Sequence, residues 1–193
     1  MGLVHPGVPR EYVIALRDAF GIRCFVETGT YHGDTTAWAA TQFERVYTIE
    51  LSDELYRRSG ERLKGLANVT RLHGDTRAHL ARLAPTLPPS IVWLDAHWSG
   101  AGTAGAGDEC PVLGELDALR ATWRDHYILI DDAHMFLAPP HPLHDASQWP
   151  TMEGLVRALA HDGGRYVGSF EGIIVSVPAA ARDVTARYVH RSR

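Results

Sequence analysis

The stretch FVETGTYHGDTTAWAA, residues 25–40, decides the fold. A short apolar run ends in an acid, Glu27; Gly29 and Gly33 then bracket a turn, and a helix-like segment follows. Glycines in such a place serve a backbone that turns sharply and comes close to a ligand. The spacing, Glu27-x-Gly29-x-x-x-Gly33, is not the G-x-G-x-x-G of nicotinamide and flavin binders, which set a pyrophosphate against the helix N-terminus. Gly-rich turns are also ordinary loop punctuation, so the elements on either side have to decide.

Outward from this stretch, strand-like runs at 24–29, 46–51, 69–73, 90–94 and 127–130 alternate with amphipathic stretches at 35–42, 53–66, 77–83 and 113–123. Short apolar runs such as IVWLD and YILID suit strands covered on both faces, as in a parallel sheet. Their alternation with helices implies βαβ units with right-handed crossovers. A helical lead-in at 9–20, within an N-terminal segment 1–22, carries Val13, Leu16 and Phe20. After the fifth strand come a Pro-rich loop at 137–150 and a helix near 152–161. Two β-rich runs, 166–170 and 173–177, are separated by Glu171-Gly172, the gap of a tight hairpin with Gly supplying positive φ. The fold class is α/β: seven strands, mostly parallel, with a C-terminal antiparallel hairpin and helices on both faces. The Arg-rich tail, 179–193, reads as a solvated end.

The 193 residues suffice for one domain with a proper core, and neither an internal repeat nor a second domain is visible. Hydrophobic residues at 45% and charged residues at 22% are ordinary for a globular chain. A formal charge of -4 argues against a nucleic-acid partner gripped by a broad basic surface, and leaves small neutral or cationic molecules open. No run approaches the ~18 apolar residues of a membrane span. The start, MGLVHPGVPREYV, lacks a basic patch followed by an apolar run, so no secretory leader is expected. Cys24 reads as a small buried hydrophobe, and Cys110 as a loop residue whose thiol is open to reaction. Without a disulfide framework, a cytoplasmic setting is expected.

Acids stand at the ends of the strands. Glu50 closes the second run, 21 residues after Gly29. An acid about 20 residues beyond a glycine loop is placed where one carboxylate accepts two ribose hydroxyls. Asp75 follows the third run in LHGD, within reach of an adenine amino group, and Asp95 ends the fourth. Ligands in open α/β sheets sit outside the carboxyl ends of the strands, where Glu27 and these three acids fall. A single such acid is as readily a solvated strand end or a helix cap. Four in register with the strand order point to a ligand site.

ETGTYHG, TIELS and HGD resemble the first three motifs of class I S-adenosylmethionine-dependent methyltransferases, and five βα units followed by a hairpin is that family's order. The resemblance covers nearly the whole chain. It implies a Rossmann-like, single-domain methyltransferase spanning 1–193, with S-adenosylmethionine as cofactor. Gly29 and Gly33 then shape the cofactor loop, Glu50 holds the ribose and Asp75 lies near adenine. Candidate cofactor residues are Glu27, Thr28, Gly29, Thr30, Tyr31, Gly33, Glu50, Leu51, Gly74, Asp75, Thr76 and Asp95. Adenosylmethionine has no phosphate, which suits the looser glycine spacing.

Two further segments carry chemistry: LDAHWSG (94–100) and LIDDAHMF (129–136). Each is a buried-looking strand ending in carboxylates, with a histidine close behind. On neighbouring strands, Asp95, His97, Asp131, Asp132 and His134 converge, and such crowding calls for a cation or a substrate amine. Oxygens of Asp95, Asp131 and Asp132 suit Mg²⁺; adding His97 or His134 shifts preference toward Mn²⁺, Fe²⁺ or Zn²⁺. This half resembles the metal-dependent sugar and natural-product O-methyltransferases (macrocin O-methyltransferase-like). There an Asp after strand four and an Asp-Asp pair after strand five hold magnesium. Those enzymes usually carry a second acid where this chain has His97, and longer N-terminal extensions.

The resemblance implies O-methylation of a small hydroxylated molecule, a sugar or natural product, on a metal that binds the hydroxyl and lowers its pKa. The proton passes to Asp95 if a metal is present and to His97 if it is not. Three other readings stand beside it: a metal-independent N- or carboxyl-methyltransferase using Asp95 and His97, a non-catalytic domain that keeps the fold, and a metallohydrolase, which leaves the cofactor motifs without purpose. His97 and His134, taken singly, are as readily loop histidines bonded to backbone.

Two loops, 98–112 and 136–150, are expected to select the substrate. Five glycines from Gly100 to Gly114 favour a mobile lid over a plain connector. Asp108 and Glu109 either sense a substrate cation or cap the helix starting near Pro111. In the second loop Phe136, His141, His144 and Trp149 either form a stacking wall or pack the loop down, and Trp149 is expected to pack. Trp98 and His134 are the expected substrate contacts. The partner is a small molecule, and a second copy of the chain in a homodimer is a candidate to complete the pocket.

Overall fold

The computed structural model describes residues 7–100, 102–160 and 163–191. Residues 1–6 of the expected N-terminal segment, residue 101 of the first loop, residue 161 at the end of the expected 152–161 helix with residue 162 beyond it, and residues 192–193 of the tail lie outside the described residues.

The apolar runs become strands because each is short, continuous and flanked by turn residues. The chain runs α1 (Arg10–Phe20), β1 (Cys24–Thr28), α2 (Asp34–Ala40), β2 (Arg45–Glu50), α3 (Asp53–Arg62), β3 (Val69–His73), α4 (Thr76–Leu83) and β4 (Ser90–Leu94). It continues through α5 (Val112–Leu119), β5 (His126–Ile130), α6 (His134–Leu137), α7 (Met152–Leu159), β6 (Arg165–Phe170), β7 (Ile173–Pro178) and α8 (Arg182–His190). Side chains cap three of the helices. Ser52 accepts from the N–H of Leu55 at α3, Asp75 from Arg77 at α4 and Thr151 from Gly154 at α7. Gly21 ends α1 in the left-handed conformation, φ 63°.

The sheet order is β3-β2-β1-β4-β5-β7-β6. β1 to β5 are parallel, while β7 runs antiparallel to β5 and to β6. This is the expected Rossmann-like architecture. The order reverses between β1 and β4, which opens a crevice at their carboxyl ends.

Alternation along the central strands feeds two cores. Val26, Val92 and Ile128 point to one face with Leu80 of α4, Leu116 of α5 and Leu155 of α7. Phe25, Ile91 and Leu129 point to the other with Leu16 of α1, Ala39 of α2 and Tyr188 of α8. No described helix is long and apolar enough to cross a membrane.

Four expectations are corrected. The tail is no solvated end: α8 packs on α1, Tyr12 Oη lies 2.8 Å from Thr185 Oγ1, and buried Tyr188 donates to Glu171 Oε2 at 2.7 Å. Its arginines conceal an apolar stripe. The helix expected over 113–123 gives way to a 3₁₀ stretch, Arg120–Asp125, before β5. In the hairpin both Glu171 (φ 49°) and Gly172 (φ 84°) are left-handed, the geometry of a type I′ turn, so glycine is not alone in supplying positive φ. Cys110 is buried, which pushes its thiol up to about 12 and leaves it inert.

Candidate functional site

At the end of β1 the backbone turns within van der Waals range of the end of β4. A Cβ on Gly29, φ +80°, would stand 2.1 Å from the carbonyl oxygen of Asp95, so no other residue fits without moving the strand. The Asp95 N–H is held at 3.2 Å by both the carbonyl and the hydroxyl of Thr28. Gly33, also at φ +80°, stands at the N-terminus of α2.

Between these glycines the loop is tied to the end of β2. Glu50 is only 5% exposed; Oε2 accepts from the Tyr31 N–H at 2.8 Å and Oε1 from the Ser52 N–H at 2.9 Å. Its carboxylate is thereby aimed, and it is no solvated strand end. Beneath the loop Glu27 accepts from Thr36 Oγ1 and, at 2.7 Å, from Thr48 Oγ1, and burial pushes its carboxyl up to about 7. Thr30 Oγ1 lies 2.6 Å from Thr48 Oγ1 in the same network.

A cavity of about 390 Å³ opens above these strand ends. Tyr31, Glu50, Leu51, Asp75 and Thr76 line the end over β2 and β3, Asp95 and His97 the end over β4, and Gly29 stands where the two meet. Glu27, Thr28, Thr30, Gly33 and Gly74 stand behind this wall and shape it without facing the cavity. Asp75 is engaged more heavily than expected. Its Oδ1 accepts from the N–H and Nε of Arg77 at 2.8 and 3.0 Å, and its Oδ2 from Nη2 at 2.6 Å. The guanidinium holds the Asp75 carboxyl below the usual range. Arg77 also pairs through Nη1 with Asp108 Oδ2 at 2.6 Å, drawing the first loop onto the cavity rim. Sequence reasoning missed Arg77 and Leu55 on this wall, which lie on helices that carry no motif, and did not single out Ser99 and Thr103 within the expected 98–112 loop.

At the other end His97 is the centre. Its Nε2 stands 2.9 Å from Asp132 Oδ2 and its Nδ1 3.6 Å from Asp95 Oδ1. Burial alone would lower the imidazole, but the Asp132 bond and the Asp95 charge outweigh it and raise its pKa. The same bond holds Asp132 below the carboxylate range, and burial together with Asp131 raises Asp95. Burial lifts Asp131 to about 6, against the pull of the Asp132 N–H on its Oδ1 at 2.8 Å. Asp132 is itself left-handed, φ 50°, a conformation Asp tolerates better than most residues. The hairpin tip fixes it, since the Ala133 N–H donates to the Gly172 carbonyl at 2.8 Å.

The expected metal trio is not assembled. Among the described residues no three His, Cys, Asp or Glu side chains converge as a ligand set. The reason is local: His97 occupies the space between Asp95 and Asp132, and Asp131 turns back onto backbone. His134, at the start of α6, is exposed, with Nδ1 3.7 Å from Asp132 Oδ1. Trp98 packs edge-on against His144 at 5.3 Å and does not line the cavity. Glu109 neither senses a cation nor caps a helix: it is buried and accepts from Trp149 Nε1 at 2.8 Å. Trp149 packs as expected.

No protein-family model matches the chain, and no curated protein matches it. Solved structures do. A caffeoyl-CoA O-methyltransferase-like protein of Staphylococcus aureus matches at TM-score 0.60 and 11% identity, over 91% of this chain and 86% of that one. CalS10, an amino pentose methyltransferase from Micromonospora echinaspora solved with S-adenosylmethionine, matches at 0.54 and 14%, over 88% and 89%. The N-terminal domain of EvdMO1, solved with S-adenosylhomocysteine, matches at 0.54 and 18%, over 89% and 80%. At such identities the likeness is one of fold: this chain has the fold of proteins that bind adenosylmethionine or its product.

Proposed function

We propose that the chain is an S-adenosylmethionine-dependent methyltransferase that methylates a hydroxyl of a small neutral or cationic molecule, a sugar or natural product. One observation carries the reading. The aimed carboxylate of Glu50 and the histidine–carboxylate group around His97 face the same cavity, the first where a ribose would be held and the second where an acceptor would lose its proton. The bound ligands of CalS10 and EvdMO1 support the cofactor half. The charge of the wall supports the acceptor class. Glu50, Asp75, Asp95 and Asp108 face the cavity, and Arg77, the one lining guanidinium among the described residues, is held by two of them, a poor setting for a phosphorylated acceptor.

In this reading His97 donates its Nε2 proton to Asp132, which fixes the tautomer and leaves Nδ1 to accept. The acceptor oxygen attacks the methyl carbon, the C–S bond breaks with its electron pair going to sulfur, and the hydroxyl proton passes to Nδ1. The sulfonium is already a good leaving group, so the protein's part is to position the acceptor and take its proton.

Metal assistance is the second reading, favoured by the crowding of Asp95 and Asp131, whose carboxyls are both raised. It requires His97 to leave Asp132, and no step above runs through a metal. The test is calorimetric titration of S-adenosylhomocysteine in Mg²⁺ and in excess EDTA, with Glu50→Ala alongside. Binding in both conditions that weakens in the variant supports the transferase. Absence of binding in either condition overturns it. Heat from Mg²⁺ binding that disappears in Asp131→Ala restores the metal version.

A further inference from the structure

We propose that Glu109 is a positioning residue that ties the cavity-lining segment 98–111 to residues 137–150 behind it and so holds Trp149 against His97. The inference rests on the reading of His97 as the acceptor-side base.

The first segment is glycine-rich, and the second is proline-rich and mostly exposed, yet Glu109, where they meet, is 4% exposed. Its Oε2 accepts from Trp149 Nε1 at 2.8 Å and from His144 Nδ1 at 2.9 Å, and its Oε1 from the Asp145 N–H at 3.1 Å. Its own N–H donates to Gln148 Oε1 at 2.8 Å, and its carbonyl accepts from the Trp98 N–H at 2.8 Å. Every polar group of the residue is used, and four of the five bonds reach across 35 to 40 residues of sequence. A carboxylate out of water is costly unless its oxygens are satisfied, so these donors and the burial depend on one another.

What the clamp holds is the indole of Trp149. Its ring centre lies 5.8 Å from that of His97 and 5.5 Å from that of Phe136. His144 completes this packing behind the cavity, edge-on to Trp149 at 5.4 Å and to Trp98 at 5.3 Å. Pinned at Trp98 and again at Glu109, the glycine-rich segment is no free lid. Arg77 ties the same segment a third time, at Asp108. Glu109 thus acts on His97 through Trp149.

The test compares Glu109→Ala and Glu109→Gln with the parent protein by hydrogen exchange and by NMR of the His97 ring and the Trp149 indole N–H. Glu109→Ala should speed exchange about tenfold or more in both segments together and shift both sets of resonances. Glu109→Gln, whose carbonyl still accepts from Trp149 but whose amide nitrogen cannot accept a second donor, should recover the resonances in part. Exchange that changes in one segment alone, or His97 resonances that stay in place in both variants, overturns the proposal. Titration of the parent protein with S-adenosylhomocysteine is read separately: failure there sinks the methyltransferase reading and leaves the clamp to the exchange data.

Discussion

Glu50 and Glu109 are both buried glutamates with every oxygen engaged, and they differ in where their donors come from. Glu50 is served by Tyr31, on the adjacent loop, and by Ser52, two residues on. Glu109 is served by side chains and backbone from a loop on the far side of β5. The cofactor end of the cavity is thus built from short segments that each carry their own geometry. The acceptor end exists only once β4, β5 and the hairpin have come together. A site of the first kind can be broken by one backbone atom; a site of the second kind loosens when a distant partner goes.

The largest effect is expected where the two ends touch. Gly29→Ala sets a Cβ against the Asp95 carbonyl in a left-handed conformation. A penalty above about 3 kcal/mol should lower Tm by roughly 10 °C and abolish S-adenosylhomocysteine binding. Gly65→Ala, left-handed but with open space around its Cβ, should cost only about 1 kcal/mol. Equal losses in the two variants would show that backbone conformation, and not the β1–β4 approach, is the constraint.

Next come variants that separate the halves. His97→Ala should reduce turnover by about 10² to 10⁴ while leaving product affinity within about threefold. Glu50→Ala should weaken product binding by about 10- to 100-fold. If His97→Ala weakens cofactor binding as much as Glu50→Ala does, the division into two ends is wrong.

A buried acid behind the cavity gives a smaller, pH-dependent effect. Glu115 is 1% exposed with Oε1 unpartnered, and burial pushes its carboxyl from 4.5 up to about 7. A raised carboxyl favours the fold fully below pH 4.5, and that contribution is lost as pH rises through about 7. Glu115→Gln has no charge to bury, so relative to the parent it should gain about 3 kcal/mol between those limits. Chemical denaturation at both pH values checks this, and a constant difference would refute it. Smallest of all, Asp108→Asn removes a half-exposed pair with Arg77 and should cost ~0–1 kcal/mol by the same measurement.

The β1 and β2 segments were legible because their chemistry is local. A strand, a glycine at forced φ and an acid at the next strand end follow from period and spacing alone, and Gly29 and Glu50 stand where those rules put them. Cofactor contacts assigned to Glu27 and Thr30 were a reading of adjacency: in a strand or tight turn, neighbours point in opposite directions, and these two point beneath the loop. The tail misled because its four arginines are spread among the apolar residues, and the few that α8 buries, such as Tyr188, stand out only once α1 is beside them.

By itself, then, the sequence determined the α/β alternation, the hairpin and the cofactor loop, since each depends on backbone propensities within a few residues. Tertiary structure alone decided that Arg77 would hold Asp75, that His97 would lie between Asp95 and Asp132, and that Glu109 would unite two loops. Those outcomes rest on charges that leave water only where distant segments supply a partner, and no local pattern records which partner that will be.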